Sequence, residues 1–342
     1  MVKLPYVLQK ENICRFDGDT FFIGDRRTFP LAKTFVACSS VRDIAIALTQ
    51  MVTQGGGPLQ VAFTTLSYCA HRMERGTLPA GFETFKGSAA QLIAARPTNT
   101  TMARVLEKML GEISLLFGQG GDLHSVVQAI DALVLENEQQ YDAIYHAMGK
   151  KGASLLKDGE TVLTTCFAEH TFLLSLAYAQ QEGKTVSVLA SETRPYLQGA
   201  RLTAPSLREM GIPVSLITDG MGANFLSKGK VGCYMTASDV VCMDGTVVNK
   251  TGTLANAIAC AYYNVPYYSF SISPDPSKRN SGDLHMEMRD GKEVIHCMGH
   301  LITDEAIPAL YPSFDSIPPS LVTGIITPKG ILTPDALSGA YL

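Results

Sequence analysis

After residue 160, short apolar runs rich in β-branched residues alternate with helical segments, and this constrains the fold more than any other feature of the chain. The runs are TVLTTC (161–166), TVSVLA (185–190), PVSLIT (213–218), VVCM (240–243) and PYYSF (266–270). Between them lie TFLLSLAYAQQEG, APSLREMG, ANFLSKG and GTLANAIACAYYN, with the spacing of amphipathic or buried helices. Strands separated by helices pair in parallel, so the pattern predicts a doubly wound, Rossmann-like α/β domain. The earlier part of the chain has another texture. VRDIAIALTQMV, PLQVAFTTLSYCAHRM, TTMARVLEKMLGEISLLF and LHSVVQAIDALVLENEQQYDAIYHAMG repeat apolar residues every three or four positions. Glycine-rich joints at 55–58 and 118–122 separate some of them, and RFDGDTFFIGDRRTFP ahead of them reads as a hairpin. The expected organisation is a mainly helical amino-terminal domain over 1–148 and an α/β domain over 149–342. The switch is expected near Gly149 to Lys157.

Composition removes several function classes. A formal net charge of −4 leaves no electrostatic footprint for nucleic acid. No apolar run reaches the roughly 18 residues of a membrane span, and the amino terminus lacks a signal-peptide pattern. The eight cysteines form no CxxC pair, so they read as reduced thiols of a cytoplasmic protein rather than a disulfide frame or zinc site. His296, Cys297 and His300 sit close together without a carboxylate in the pattern, and no metal is expected there. Neither glycine joint fits a P-loop or a GxGxxG turn after a strand, which argues against a nucleotide and against an NAD-dependent oxidoreductase. They read as turns, or as backbone N–H groups of Gly55 and Gly56 facing an anion ahead of Pro58.

In a doubly wound sheet, ligands bind at the carboxyl ends of the strands. The residues expected there are Cys166, the charged stretch SETRPYLQGARL (191–202), Asp219, and the segment TASDVVCMDGTVVNKTGT (236–253) with Asp239, Asn249 and Lys250. Lys250 just before a helix start predicts a phosphate seat, the lysine supplying charge and the helix supplying N–H donors. A thiol facing an arginine- and lysine-bearing crevice is expected to favour its thiolate. Each residue also has a plain reading, Cys166 as a core filler and Asp239 as a helix cap; their conjunction argues for chemistry.

Four stretches carry a family resemblance. ETRPYLQGARLTA, LITDGMGANFL, SDVVCMDGTVVNKTGT and YPSFDSIPPSLVTGIIT resemble, in order and spacing, the 5-methylthioribose-1-phosphate isomerase family. That family is related to ribose-1,5-bisphosphate isomerases and to regulatory subunits of the translation-initiation exchange factor. The likeness extends through MGKKGASLLKDGETVLTTC and, more loosely, to RPTNTTMARVLEKM and MVTQGGGP. It implies aldose–ketose isomerisation of a five-carbon sugar 1-phosphate to the 1-phosphoketose, without nucleotide or metal, by a homodimer acting in methionine salvage. Carried over by position, Cys166 and Asp239 are catalytic. Arg96, Gln198, Asn249 and Lys250 hold phosphate and hydroxyls, and Gly55 and Gly56 lie near the loop that caps the phosphate.

The chemistry fits that assignment. A sugar 1-phosphate is locked as a cyclic acetal, so one group must protonate the ring oxygen and another must move hydrogen between C2 and C1. An aspartic acid and a cysteine match this in number and type. An aspartate of pKa about 3.9 in water keeps a proton at neutral pH only if desolvated, and an apolar crevice around Asp239 is the expected cause. Three positions depart from the family: Gln54 replaces a phosphate-gripping arginine, Phe167-Ala168-Glu169 replaces Asn-x-Gly, and Ala237-Ser238-Asp239-Val240 replaces Gly-Ala-Asp-Arg. They bear on which 5-substituent the sugar carries, 5-deoxyribose 1-phosphate being a close alternative. The competing class is a non-catalytic relative that binds a sugar phosphate or nucleotide and regulates a partner. Such a relative has no need of both thiol and carboxylate.

Overall fold

The computed structural model describes residues 2–97, 100–284, 286 and 288–341, and the chain divides into two compact units, 4–143 and 144–342. The first unit opens with an antiparallel meander of β1 (Cys14–Asp17), β2 (Thr20–Gly24) and β3 (Phe35–Cys38). The expected hairpin is its first two strands. Helices Val41–Thr49, Gly57–Glu74 and Thr100–Gly118 follow the expected runs. Ser40 starts the first of them by accepting the Asp43 N–H on its hydroxyl, a side-chain cap. Phe82–Ala95, which was not among the helical runs, is also a helix; it buries Phe85, Ala89 and Leu92, and its Gly–Ser–Ala centre disguises the period. Phe21, Ile23, Leu48, Phe63, Leu66 and Phe85 pack in one core.

The second unit is built on a seven-stranded sheet. In chain order its strands are β4 (Thr161–Thr164), β5 (Ser187–Ser191), β6 (Val214–Ile217), β7 (Cys233–Ala237), then β10 (Tyr267–Phe270), β12 (Gly324–Thr327) and β13 (Gly330–Leu332). Their spatial order is β13-β12-β10-β7-β4-β5-β6, all parallel except the β12–β13 hairpin. The order reverses at β4, where chain connections leave in opposite directions, and such a switch point opens a crevice at the strand ends. One expected strand is displaced. VVCM does not enter this sheet; Val240–Val241 (β8) pairs with β9 (Val247–Lys250), which pairs with β11 (Phe314–Ile317), as a small antiparallel sheet. The central place belongs to Cys233–Ala237, whose sequence CYMTA holds no β-branched aliphatic residue and so gave no strand signal. Among the described residues no helix is long and apolar enough to cross a membrane.

The division at 143/144 falls inside one helix, Leu123–Leu155, and Gly149 does not interrupt it. The glycines of MGKKG instead let this helix lie close against its neighbours. A Cβ on Gly149 would come 2.6 Å from Leu174 Cβ, and one on Gly152 would come 2.1 Å from Ser175 Oγ and 2.9 Å from Phe270 Cζ. Alanine improves helix propensity by about 1 kcal/mol over glycine, whereas overpacking a tight core costs about 1–3 kcal/mol. We therefore expect Gly152→Ala to lower the urea unfolding midpoint. A variant more stable than wild type would show that this contact is not tight.

Candidate functional site

The charged stretch after β5 wraps around Cys166. The Cys166 N–H donates to Thr193 Oγ1 at 2.9 Å, and Thr203 Oγ1 donates to the Cys166 carbonyl at 2.7 Å. Both threonines are buried, so the two ends of TRPYLQGARLT clasp one cysteine. Asp219, at the end of β6, holds the near end of the clasp by accepting the N–H groups of Thr193 and Arg194 at 2.8 and 2.7 Å. Its two oxygens are thus engaged in fixing the backbone, which argues against a role as proton donor. Arg194 donates to the carbonyls of Val294 and His296 and so fixes another segment. Gly199 passes so close to the Ser191 carbonyl that a Cβ would lie 1.7 Å from its oxygen, which accounts for the glycine of QGAR. Gln198 is buried, and its Oε1 has no hydrogen-bond partner. A buried acceptor of that kind costs about 1–3 kcal/mol until a donor, such as a hydroxyl, reaches it.

Asp239 lies just past the end of β7, its N–H donating to the Val248 carbonyl at 2.9 Å. It is exposed, contrary to the expected apolar crevice: Val241 is buried beneath it, but the carboxylate-bearing residue stands at the mouth. Asn249 and Lys250 end β9 and are both buried. The phosphate seat expected at the following helix, Thr253–Tyr262, is also corrected. Asp315 on β11 accepts the N–H groups of Gly252 and Leu254 at 2.8 and 2.9 Å, so the helix start is already neutralised by a carboxylate of the chain. Asn249 Nδ2 donates to Thr253 Oγ1 at 3.0 Å.

Cys166, Asp239 and Lys250 act on one another's protonation. Burial, the largest cause, pushes the Cys166 thiol up to about 12; the Asp239 charge pushes the same way, and the Lys250 ammonium pulls it down. The expected thiolate is therefore not the resting form, because burial and Asp239 outweigh the one lysine. Lys250 is lowered from its ordinary value, first by burial, while Cys166 and Asp239 support its charge. Protonating Asp239 would remove a charge that opposes the Cys166 thiolate, so an acid on Asp239 and a base on Cys166 favour each other. Glu192, beside the clasp, is raised by burial and by the charge of Asp219.

Several residues of this cluster were not singled out in the sequence. Lys250 Nζ donates to the hydroxyl of the buried Tyr311, and Arg289 and Glu293 lie close enough to shift the lysine. Arg289 and Glu293 come from residues 271–310, a long connection without a recognisable motif, whereas Tyr311 opens the stretch YPSFDSIPPSLVTGIIT that carries the family resemblance. The His296–Cys297 and His300–Leu301 strands of the long connection form a hairpin. Among the described residues no group of three His, Cys, Asp or Glu side chains could hold a metal.

The remaining candidates belong to the first unit. Gly55 has φ +64°, and Gly56 is the amino-terminal cap of helix Gly57–Glu74, which carries Pro58 in its first turn. The buried Arg26, unnoticed in the sequence, donates to the Gln54 carbonyl and to the Val7 carbonyl, holding this loop from within the unit. Arg96 ends helix Phe82–Ala95. The stretch RPTNTT beyond it falls partly outside the described residues.

The sequence matches the Initiation factor 2 subunit family over residues 61–334. It is 31% identical over 335 residues to the methylthioribose-1-phosphate isomerase of Thermotoga maritima, an alignment covering 95% of this chain and 96% of the relative. Two solved structures are similar along nearly their whole length. The 5-methylthioribose 1-phosphate isomerase of Pyrococcus horikoshii superposes with a TM-score of 0.81 at 25% identity, covering 99% of this chain and 95% of that one. The translation initiation factor eIF-2B subunit delta of A. fulgidus gives 0.78 at 27% identity, covering 98% and 97%.

The coupling within the cluster can be read without a substrate. Iodoacetamide attacks the thiolate, so Asp239→Asn should speed alkylation of Cys166 at pH 8, and Lys250→Ala should slow it. Peptide mapping that finds the same Cys166 rate in both variants as in wild type would separate the three residues.

Proposed function

The chain belongs to the Initiation factor 2 subunit family, and we propose that it is an aldose–ketose isomerase acting on a five-carbon sugar 1-phosphate. The observation that carries this is the coupled group of Cys166 and Asp239, which follow β4 and β7 of the main sheet, and Lys250, which ends β9 of the small antiparallel sheet. The substrate is 5-methylthioribose 1-phosphate or a close relative such as 5-deoxyribose 1-phosphate. Sugar salvage in the cytoplasm, with methionine salvage as the methylthio case, is the corresponding setting.

Each residue has a role in this reading. Lys250 meets the phosphate as a charge-assisted donor, while Gln198 and Asn249 take sugar hydroxyls; within the first unit, Arg96 and the loop at Gly55 and Gly56 are the phosphate ligands that the family likeness assigns. Asp239 protonates the ring oxygen. It stands exposed in the free chain, and a sugar lying over it would exclude water, which favours the acid form of a carboxyl. Asp239 gives its proton to the ring oxygen as the C1–O bond breaks, Cys166 moves hydrogen from C2 to C1, and Asp239 recovers a proton from the C2 hydroxyl as that becomes the carbonyl. The reaction needs no cofactor in this scheme. Likeness of fold to a translation-factor subunit does not choose between catalysis and regulation, since folds host many functions. The coupled thiol and carboxylate favour catalysis.

Incubation with a panel of pentose 1-phosphates, followed by proton NMR in deuterated water, tests the reading through the appearance of a 1-phosphoketose. Asp239→Asn should cut kcat by about 10²–10⁴ with little change in ligand affinity. If that variant keeps a tenth of wild-type turnover, Glu192 becomes the better candidate for the acid. Lys250→Ala should raise KM by about an order of magnitude or more.

We also propose a homodimer. Residues 251–265 carry no charge, and helix Thr253–Tyr262 leaves Ile258 53% and Tyr262 78% exposed. A helix apolar on every side is normally covered, and an uncharged patch can meet a copy of itself without like-charge repulsion. Light scattering should give twice the 36.8 kDa chain mass, and Ile258→Lys should halve it. A wild-type monomer would rule out this assembly.

A further inference from the structure

Lys250 is reached by a segment to which the isomerase reading gives no role. Met288–Arg289 pairs antiparallel with Tyr311–Pro312, setting Arg289 opposite Tyr311. Tyr311 is buried, its hydroxyl accepts a hydrogen bond from Lys250 Nζ, and the same nitrogen lies 4.3 Å from its ring centroid. One side chain thus meets the ammonium with a lone pair and with the negative face of a ring. Arg289 is itself anchored. It donates to Glu293 at 3.2 Å and to the Tyr196 hydroxyl at 3.0 Å, and its guanidinium carbon lies 5.2 Å from the Tyr196 ring centroid. Tyr196 belongs to the clasp around Cys166, so the anchoring ties this segment to the thiol's own loop.

We propose that Tyr311 is a positioning residue that holds the Lys250 ammonium in the crevice until the substrate's phosphate takes over the contact. The inference rests on the reading of Lys250 as a phosphate ligand. A buried lysine with no acceptor would lose its proton or turn away, and in either case it would meet an arriving phosphate poorly. The hydroxyl is a suitable stand-in because it is a neutral acceptor. It satisfies one N–H without the strong ion pair that would have to be broken when phosphate arrives, and burial keeps the phenol protonated, well above its ordinary range. The titratable groups around Lys250 are four, from three parts of the chain. Cys166 follows β4, Asp239 follows β7, and Glu293 and Arg289 lie on the 271–310 segment; Arg289 disfavours the ammonium and the other three favour it.

Removing only the oxygen gives the sign of the effect. Tyr311→Phe keeps the ring and volume but deletes the acceptor, so the ammonium is less stabilised and loses its proton at lower pH. Inorganic phosphate is a dianion throughout pH 8–10.5, and calorimetric titration of the full chain across that range isolates the lysine. The expected result is about three- to tenfold weaker phosphate binding in Tyr311→Phe at pH 8 and a loss of binding that begins at lower pH than in wild type. Tyr311→Leu, which also removes the ring, should bind more weakly still, with circular dichroism checking its fold. Unchanged affinity, tighter binding, or weaker binding with an unmoved pH midpoint would each overturn the positioning role. If Lys250→Ala binds phosphate as wild type does, the phosphate reading of Lys250 itself fails, an outcome distinct from failure at Tyr311 alone.

Discussion

An ammonium group on a residue only 5% exposed has few ways to remain charged, and the α/β unit is arranged around providing them for Lys250. Isolating such a charge costs several kcal/mol unless polar groups replace its water. Here the replacements come from distant parts of the chain: Tyr311 beneath the nitrogen, and Cys166 and Asp239 at the ends of two strands of the main sheet. The hydrogen-bonding partner is a neutral hydroxyl, that of Tyr311. The lysine is kept charged yet incompletely satisfied, which suits a ligand that brings its own negative charge.

The same crevice shows why placement matters more than residue type. Three carboxylates border it and do different work. Asp315 caps a helix with one oxygen, Asp219 spends both oxygens on the backbone of the clasp, and Asp239 stands exposed with its charge bearing on Cys166. Of these three, Asp239 is the one exposed at the end of a main-sheet strand. The anion seat foreseen at the start of helix Thr253–Tyr262 is absent for the same reason: once Asp315 neutralises that end, a phosphate there would meet a carboxylate.

What could be read from the sequence was what local pattern encodes. Alternating strand and helix signals gave the parallel sheet, and strand ends singled out Cys166 and Asp239, which follow β4 and β7 of that sheet, whereas Lys250 ends β9 of the small antiparallel sheet. CYMTA escaped because its strand state comes from burial between β4 and β10 rather than from propensity. Gly149 and Gly152 permit close packing inside helix Leu123–Leu155, which ends within the stretch where the change of texture was expected. Asp315 and Tyr311 lie in the quoted stretch YPSFDSIPPSLVTGIIT, but their pairing with residues about sixty positions earlier is a tertiary contact that local pattern does not announce. Protonation was the least legible property: the thiol depends on burial and on opposing charges that spacing does not reveal.

Backbone conformation completes the account of the site. Cys166, Glu169, Thr193 and Leu197 all have positive φ, between +56° and +68°, in two neighbouring loops at the carboxyl ends of β4 and β5. Each left-handed non-glycine residue costs roughly 1 kcal/mol or more, and such costs persist only where the surroundings over-determine them. The surroundings here are the hydrogen bonds already described: Thr193 and Thr203 to the backbone of Cys166, and Asp219 to the backbone of Thr193 and Arg194. These bonds hold the backbone of Cys166 in place, Thr193 and Thr203 from buried positions and Asp219 from a half-buried one. The cysteine is therefore set in place by the clasp, while its proton is governed by Asp239 and Lys250. Separating those two controls lets the charge on the thiol change during a reaction without the loop having to move.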